Sequence, residues 1–216
     1  MRPITLREQP EMSHRKISRS STITFVAQTF AAADRPSLRF HLREQTAASH
    51  ARLDENVGLF DSVQDYIRYC RALLRFRAPL EKAIANAIPG GTDNWRPLPL
   101  ADLLQADLAD LGCPVKADVD PDPYRLEGGR LLGALYVLEG SSLGAQILVL
   151  RAAALGFSET SGARHLALQT RDPKRWSRFV KILDRDGAHD PQAVVAGAQE
   201  AFSRALQTFL KTRHEH

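Results

Sequence analysis

Leu135-Tyr-Val-Leu-Glu-Gly140-Ser-Ser-Leu-Gly144-Ala-Gln-Ile-Leu148 is the most informative stretch of the chain. Its apolar residues recur at helical rather than alternate spacing, so it reads as a buried helix. Two glycines nevertheless sit inside it, each costing about 1 kcal/mol relative to alanine. Four positions apart, Gly140 and Gly144 share one face. Ser141, Ser142 and Ala145 add small side chains beside them. Such a stripe has two readings: a close seam against another helix, or a backbone that lies over a flat ligand with no side chains in the way. Residues alone favour the seam.

The helix containing this stretch is expected from about Leu126 to Leu155, with Gly156 as its C-cap. Outward from it, every sustained pattern is helical. Ser37 is a plausible N-cap for a helix through about Asn56. Ser62-Val-Gln-Asp65 resembles a capping box, opening a helix that Pro79 should kink and Pro89-Gly90-Gly91 should end. A helix from near Pro99 carries leucines on one side and stops at Gly112, and Cys113 to Pro123 reads as a loop. Asp172-Pro173 and Asp190-Pro191 each place Asp at the N-cap and Pro at the first helical position. No useful alternation suggests strands. The fold is expected to be all-α, one multi-helical bundle spanning residues 37–216.

The chain has 216 residues, enough for a real core. Its net charge of +4 lies in residues 1–40, which carry seven basic and three acidic residues; the remainder balances at 22 of each. A broad nucleic-acid footprint is not expected from that balance. No apolar run approaches the length of a membrane span, so a membrane partner is not expected either. Residues 1–36 lack any period and read as a disordered tail; no secretory h-region is present, and a cytoplasmic location is expected. Two cysteines and seven scattered histidines give neither a disulfide scaffold nor a zinc finger.

His50 and Asp54, four apart, share a helix face. The carboxylate can hold one ring nitrogen and leave the other for a metal; an isolated surface pair is the commoner case. The surrounding residues, Leu42-Arg-Glu-Gln-Thr46-Ala-Ala-Ser-His50, resemble the proximal-helix signature of haem oxygenases. Tyr136-Val-Leu-Glu-Gly-Ser-Ser-Leu-Gly144 resembles the distal-helix signature of the bacterial, biliverdin-producing branch. Gly162-Ala-Arg-His-Leu166 and Trp176-Ser-Arg-Phe-Val-Lys-Ile-Leu-Asp184 resemble the same branch, in the same order.

The resemblance implies haem held between proximal and distal helices as substrate and cofactor, with His50 as axial iron ligand. It implies that Asp54, one methylene shorter than the glutamate usual in relatives, reaches His50 through water. It implies that Gly140 and Gly144 let the distal backbone lie on the haem, and that Ser141 helps hold a water network. Arg43, Tyr136 and Arg151 become partners for the haem propionates, and Phe202 an aromatic packed on the haem. The implied reaction opens haem to biliverdin, ferrous iron and carbon monoxide, consuming dioxygen. Electrons must come from outside, from ferredoxin or a flavoprotein reductase, because no flavin or nicotinamide motif is present. Biliverdin can then supply a bilin-binding photoreceptor, or the iron can be the prize.

Arg68, Arg71 and Arg75 recur at helical spacing and could dock an acidic donor, although a solvated helix face is the commoner case. A non-catalytic haem-binding or storage protein on the same fold is the alternative reading. A di-iron protein needs Glu-x-x-His pairs in the bundle, and the one match, Glu11-Met-Ser-His14, lies in the tail. Cys113-Pro114 is a weak signal for haem sensing.

Overall fold

The computed structural model describes residues 37–58, 60–87, 95–115, 123–185 and 189–213. The expected tail, residues 1–36, and the middle of the loop after Cys113 lie outside them. Seven helices occur among the described residues: α1 Leu38–Val57, α2 Val63–Ala87, α3 Ala101–Asp110, α4 Gly129–Ala154, α5 Arg164–Thr170, α6 Arg175–Arg185 and α7 Pro191–Arg213. No strand occurs among them; Ser158 makes isolated bridges to Ser161 and Gly162.

Most ends follow the sequence signals. Ser62 accepts a bond from the Asp65 amide (3.1 Å), while its hydroxyl donates to the Asp65 carboxylate (2.6 Å). That is a variant of the expected capping box, because the short Asp turns to the hydroxyl rather than to the Ser62 amide. Asp190 accepts from the Gln192 amide at the start of α7. Pro79 sits inside an unbroken α2. Gly112 and Gly156, at φ +70° and +90°, take the left-handed conformation that ends α3 and α4.

Two features were not legible locally. The short α5 lacks a cap signal; its first amides are held by Asp107 from α3, through Arg164 N (3.0 Å) and His165 N (3.1 Å). The start of α3 is likewise held from a distance, by Glu81 of α2, whose carboxylate accepts from the Leu100 and Ala101 amides. A carboxylate suits the positive end of a helix.

The core has two lobes. In one, α1, α4, α6 and α7 meet around Leu42, Leu135, Phe179, Val194 and Phe202. In the other, α2, α3 and α5 meet around Tyr66, Leu74, Leu104 and Leu166, closed by Ala145 and Ala152 of α4. The closest approach of helices is at Gly133 of α4 and Gly197 of α7. A Cβ on Gly133 would stand 2.0 Å from the Val194 carbonyl oxygen, and one on Gly197 2.2 Å from that of Arg130. The seam is therefore at this pair rather than at Gly140 and Gly144.

α4 also corrects a second expectation. It is long and apolar enough to cross a membrane by length and composition, because Arg130, Glu139 and Arg151 are widely spaced. Within its most apolar window, 44% of residues are buried inside the bundle.

Asp107 and His165 form a buried pair, Nδ1 to Oδ2 2.7 Å, tying α3 to α5. Tyr66, Tyr69 and Arg77 surround it. Burial pushes the imidazole below its ordinary 6.5, against the pull of Asp107. The unfolded chain therefore takes up the proton first as pH falls below about 6.5, and stability declines from there down through the depressed folded value. The urea midpoint should fall between pH 6.5 and 5, and less steeply in His165→Asn. Equal slopes in the two proteins would remove His165 from this account.

Candidate functional site

α1 and α4 both pack along α7, yet hardly against each other among the described residues. Two side-chain contacts bracket the space between them. At one end the Tyr136 hydroxyl lies beside that of Thr46, with Arg43 and Arg39 near it. Thr46 Oγ1 donates to the Leu42 carbonyl one turn back (2.7 Å). Burial pushes the Tyr136 phenol above its ordinary 10, with Thr46 and then the arginines pulling the other way. At the other end Arg151 Nη1 donates to Asp61 Oδ1 (3.1 Å), just beyond α1. Both contacts join residues the same number of positions apart. Thr46 precedes Asp61 in the chain as Tyr136 precedes Arg151, so the two contacts follow α1 and α4 in the same chain direction. Tyr136 and Arg151 are separated by about 22 Å along the α4 axis.

The α1 wall presents His50, whose side chain is 62% exposed. Its Nδ1 bonds Asp54 Oδ2 directly at 2.9 Å, so no water is needed between them; α-helical i,i+4 spacing brings even the short Asp into reach. The Phe202 ring meets the imidazole edge-on, centroids 5.8 Å apart. With Nδ1 engaged and the ring held by Phe202, Nε2 is left to coordinate. Phe202 is buried in the core and acts here on His50.

The α4 wall changes character at Gly140. Before it, Leu131 to Glu139 is buried almost all round. After it, the side opposite the core is open and apolar: Leu143, Ile147 and Leu150 are 55%, 58% and 70% exposed. Gly140 and Gly144 lie on this same side. A Cβ on Gly144 would meet nothing within 4 Å, and one on Gly140 only the Trp176 indole, at 3.7 Å. No protein packing demands these glycines, so the seam reading of the stripe fails. An outward apolar face of this kind marks a binding surface.

Glu139, immediately before Gly140, fixes the rotation of α4. Arg175 of α6 donates to both its oxygens (2.7 Å each), and the Trp95 indole donates at 3.0 Å. Arg175 also donates to the Arg96 carbonyl (2.6 Å) and stacks on Trp95. Buried charges of this sort must be paired. The lone Glu in an apolar run was the sequence signal for this anchor; its partners were invisible, 36 and 44 residues away.

Ser141 sits on the flank of the open face. Its hydroxyl donates to the Leu138 carbonyl (2.6 Å), with Gln169 Oε1 at 3.3 Å. Both neighbours are acceptors, so its one proton is engaged and it offers lone pairs outward. Arg43 is exposed near Tyr136. The arginine row of α2 is half-buried: Arg68 pairs with Asp65, and Arg75 donates to Thr212. It is no free docking face. A separate cavity of about 250 Å³, lined by Glu55, Asp65, Arg68 and Arg213 among others, contains none of the expected site residues.

The cleft thus offers a flat apolar wall, one free imidazole nitrogen opposite it, and guanidinium groups at both ends. These fit a flat, apolar, metal-bearing ligand that carries carboxylates. Among the described residues no cluster of three or more His, Cys, Asp or Glu could hold a bare ion.

No protein-family model matches the chain. It is similar to the haem oxygenase PigA of Pseudomonas aeruginosa, 37% identical over 185 residues, covering 78% of this chain and 91% of that protein. It is similar to a haem oxygenase of Xanthomonas campestris pv. campestris, 33% identical over 140 residues, covering 63% and 81%. Its structure resembles that of the NO- and CO-bound haem oxygenase of Neisseria meningitidis, with a TM-score of 0.66 and 27% identity, covering 82% of this chain and 92% of that one.

Proposed function

The chain belongs to the haem oxygenase family, and from that premise we propose that it opens haem to biliverdin, ferrous iron and carbon monoxide in the cleft between α1 and α4. The observation that carries this reading is the pairing of a free His50 nitrogen with an apolar α4 face whose glycines no protein packing demands. Haem, when bound, supplies both the iron at which dioxygen is reduced and the porphyrin that is cleaved.

The residues divide the remaining work. His50 holds the iron through Nε2, and Asp54 fixes the tautomer and orientation of the ring. A neutral imidazole, rather than a thiolate, is the ligand suited to this chemistry. Gly140 and Gly144 let the α4 backbone approach the haem plane closely. Leu143, Ile147 and Leu150 exclude water around it, which strengthens every polar contact inside. Ser141 accepts a hydrogen bond from a distal water and so holds that water in place. The two propionate carboxylates leave one edge of the macrocycle, so one end of the cleft receives them: Arg151 in one seating of haem, Arg43 with Tyr136 in the reverse seating.

Electrons come from an external donor such as ferredoxin or a flavoprotein reductase. The half-buried, paired state of Arg68 and Arg75 argues against docking through that row. We place the enzyme in the cytoplasm; its free Cys70 and Cys113 suit a reducing compartment. The body of the enzyme is residues 37–216. Supply of biliverdin to a photoreceptor is one use of the product, release of iron the other.

The test is to add haem to the protein and then supply ferredoxin with its reductase in air. A Soret band that decays into broad red biliverdin absorption is the expected result. A persistent haem spectrum without bilin would favour the storage reading, and no Soret band would end the haem reading.

A further inference from the structure

The cation at the far end of the cleft already holds a carboxylate. Arg151 lies on the same side of α4 as Gly144 and Ile147, and Asp61, in the segment joining α1 to α2, reaches it with one oxygen at 3.1 Å. Among the described residues no other acidic side chain pairs with Arg151. A guanidinium is built to take a carboxylate with two parallel N–H bonds. Here a single bond at the long end of the usual range leaves that capacity unfilled. Both partners are open to solvent, Asp61 at 78% and Arg151 at 42%, so the pair is weak and exchangeable. Its position spans the mouth of the cleft, from the end of one wall to the end of the other.

We propose that Asp61 is an internal competitor for the substrate's carboxylate: it occupies Arg151 in the free protein, lowers the affinity for haem, and retakes Arg151 as the product leaves. This rests on the haem reading given above, with the propionates turned toward Arg151. Asp61 touches no reacting atom and acts only through Arg151, so it is a positioning residue. Its effect is bounded by what an exposed ion pair can supply, about two- to fivefold, and it should fade in high salt.

Haem dissociation is measured by transfer to an excess of apomyoglobin, followed in the Soret region without any turnover. Asp61→Asn should slow dissociation about two- to fivefold at low salt, and the difference should shrink at high salt. Arg151→Met should speed dissociation. In the Arg151→Met background, Asp61→Asn should change nothing. Haem dimethyl ester, which lacks free carboxylates, should leave Asp61→Asn and the unmutated protein alike. Unchanged or faster dissociation in Asp61→Asn would overturn the proposal, as would slowing that persists with the diester or without Arg151. In those cases the haem reading would stand, because haem still binds. Failure of the unmutated protein to bind haem would remove both.

Discussion

His50→Ala is expected to lower biliverdin formation by more than about 100-fold and to change the haem spectrum before any reductant is added. Loss of even an outer-shell partner of a metal ligand costs about 10- to 100-fold, and here the ligand itself goes. Among the described residues no second imidazole or thiol is seen to stand in for it. His165 is fully buried against Asp107 in the other lobe, and both cysteines lie in that lobe as well. His50 is solvent-open, bonds the exposed Asp54 on its own helix and meets Phe202 edge-on, so its removal should leave the fold intact. The vacated space is open, and added imidazole should restore part of the ferric spectrum. Asp54→Leu should act in the same direction more weakly. A His50→Ala protein with unchanged haem ligation and turnover would show that another residue binds the iron.

Adding one methyl group should have opposite consequences at two kinds of glycine. In Gly197→Ala the new Cβ meets the Arg130 backbone, 2.2 Å from its oxygen and 2.6 Å from its Cα. Backbone atoms inside a helix cannot turn aside as a side-chain tip can. α4 and α7 must separate, loosening the lobe that contains Leu135, Val194 and Ala198. Overpacking typically costs about 1–3 kcal/mol and sometimes more, and this site belongs at the upper end. In Gly144→Ala the Cβ meets nothing, and replacing a mid-helix glycine should stabilise the free protein by up to about 1 kcal/mol. Its cost should appear only with haem, as weaker binding or slower bilin formation. Urea unfolding measures the first effect and haem titration the second. Gly144→Ala with undiminished haem chemistry would mean that this face of α4 is not the haem's.

The helical class and most helix ends were legible because they are local. The periods of apolar residues, the Ser62 and Asp190 caps and the left-handed Gly112 and Gly156 all act within one or two turns. The same holds for His50 and Asp54, four residues apart on one helix, and for the glycines of α4. α5 was not legible, because its cap comes from Asp107, 57 and 58 residues away. The start of α3 depended in the same way on Glu81.

Local patterns in the chain were enough for an all-helical fold, the two signature helices and the candidate ligand on one of them. They could not say what the glycines of α4 face, since a seam and a ligand surface have the same spacing. Packing between distant segments settles it, by placing the tight helix crossing at Gly133 and Gly197 and leaving Gly144 with no neighbour. It also decides that α1 and α4 stand apart, bracketed by Thr46 with Tyr136 and by Asp61 with Arg151. The physical reason is range: propensity, capping and periodicity act along a few residues, whereas a cleft is made by where distant segments fail to touch.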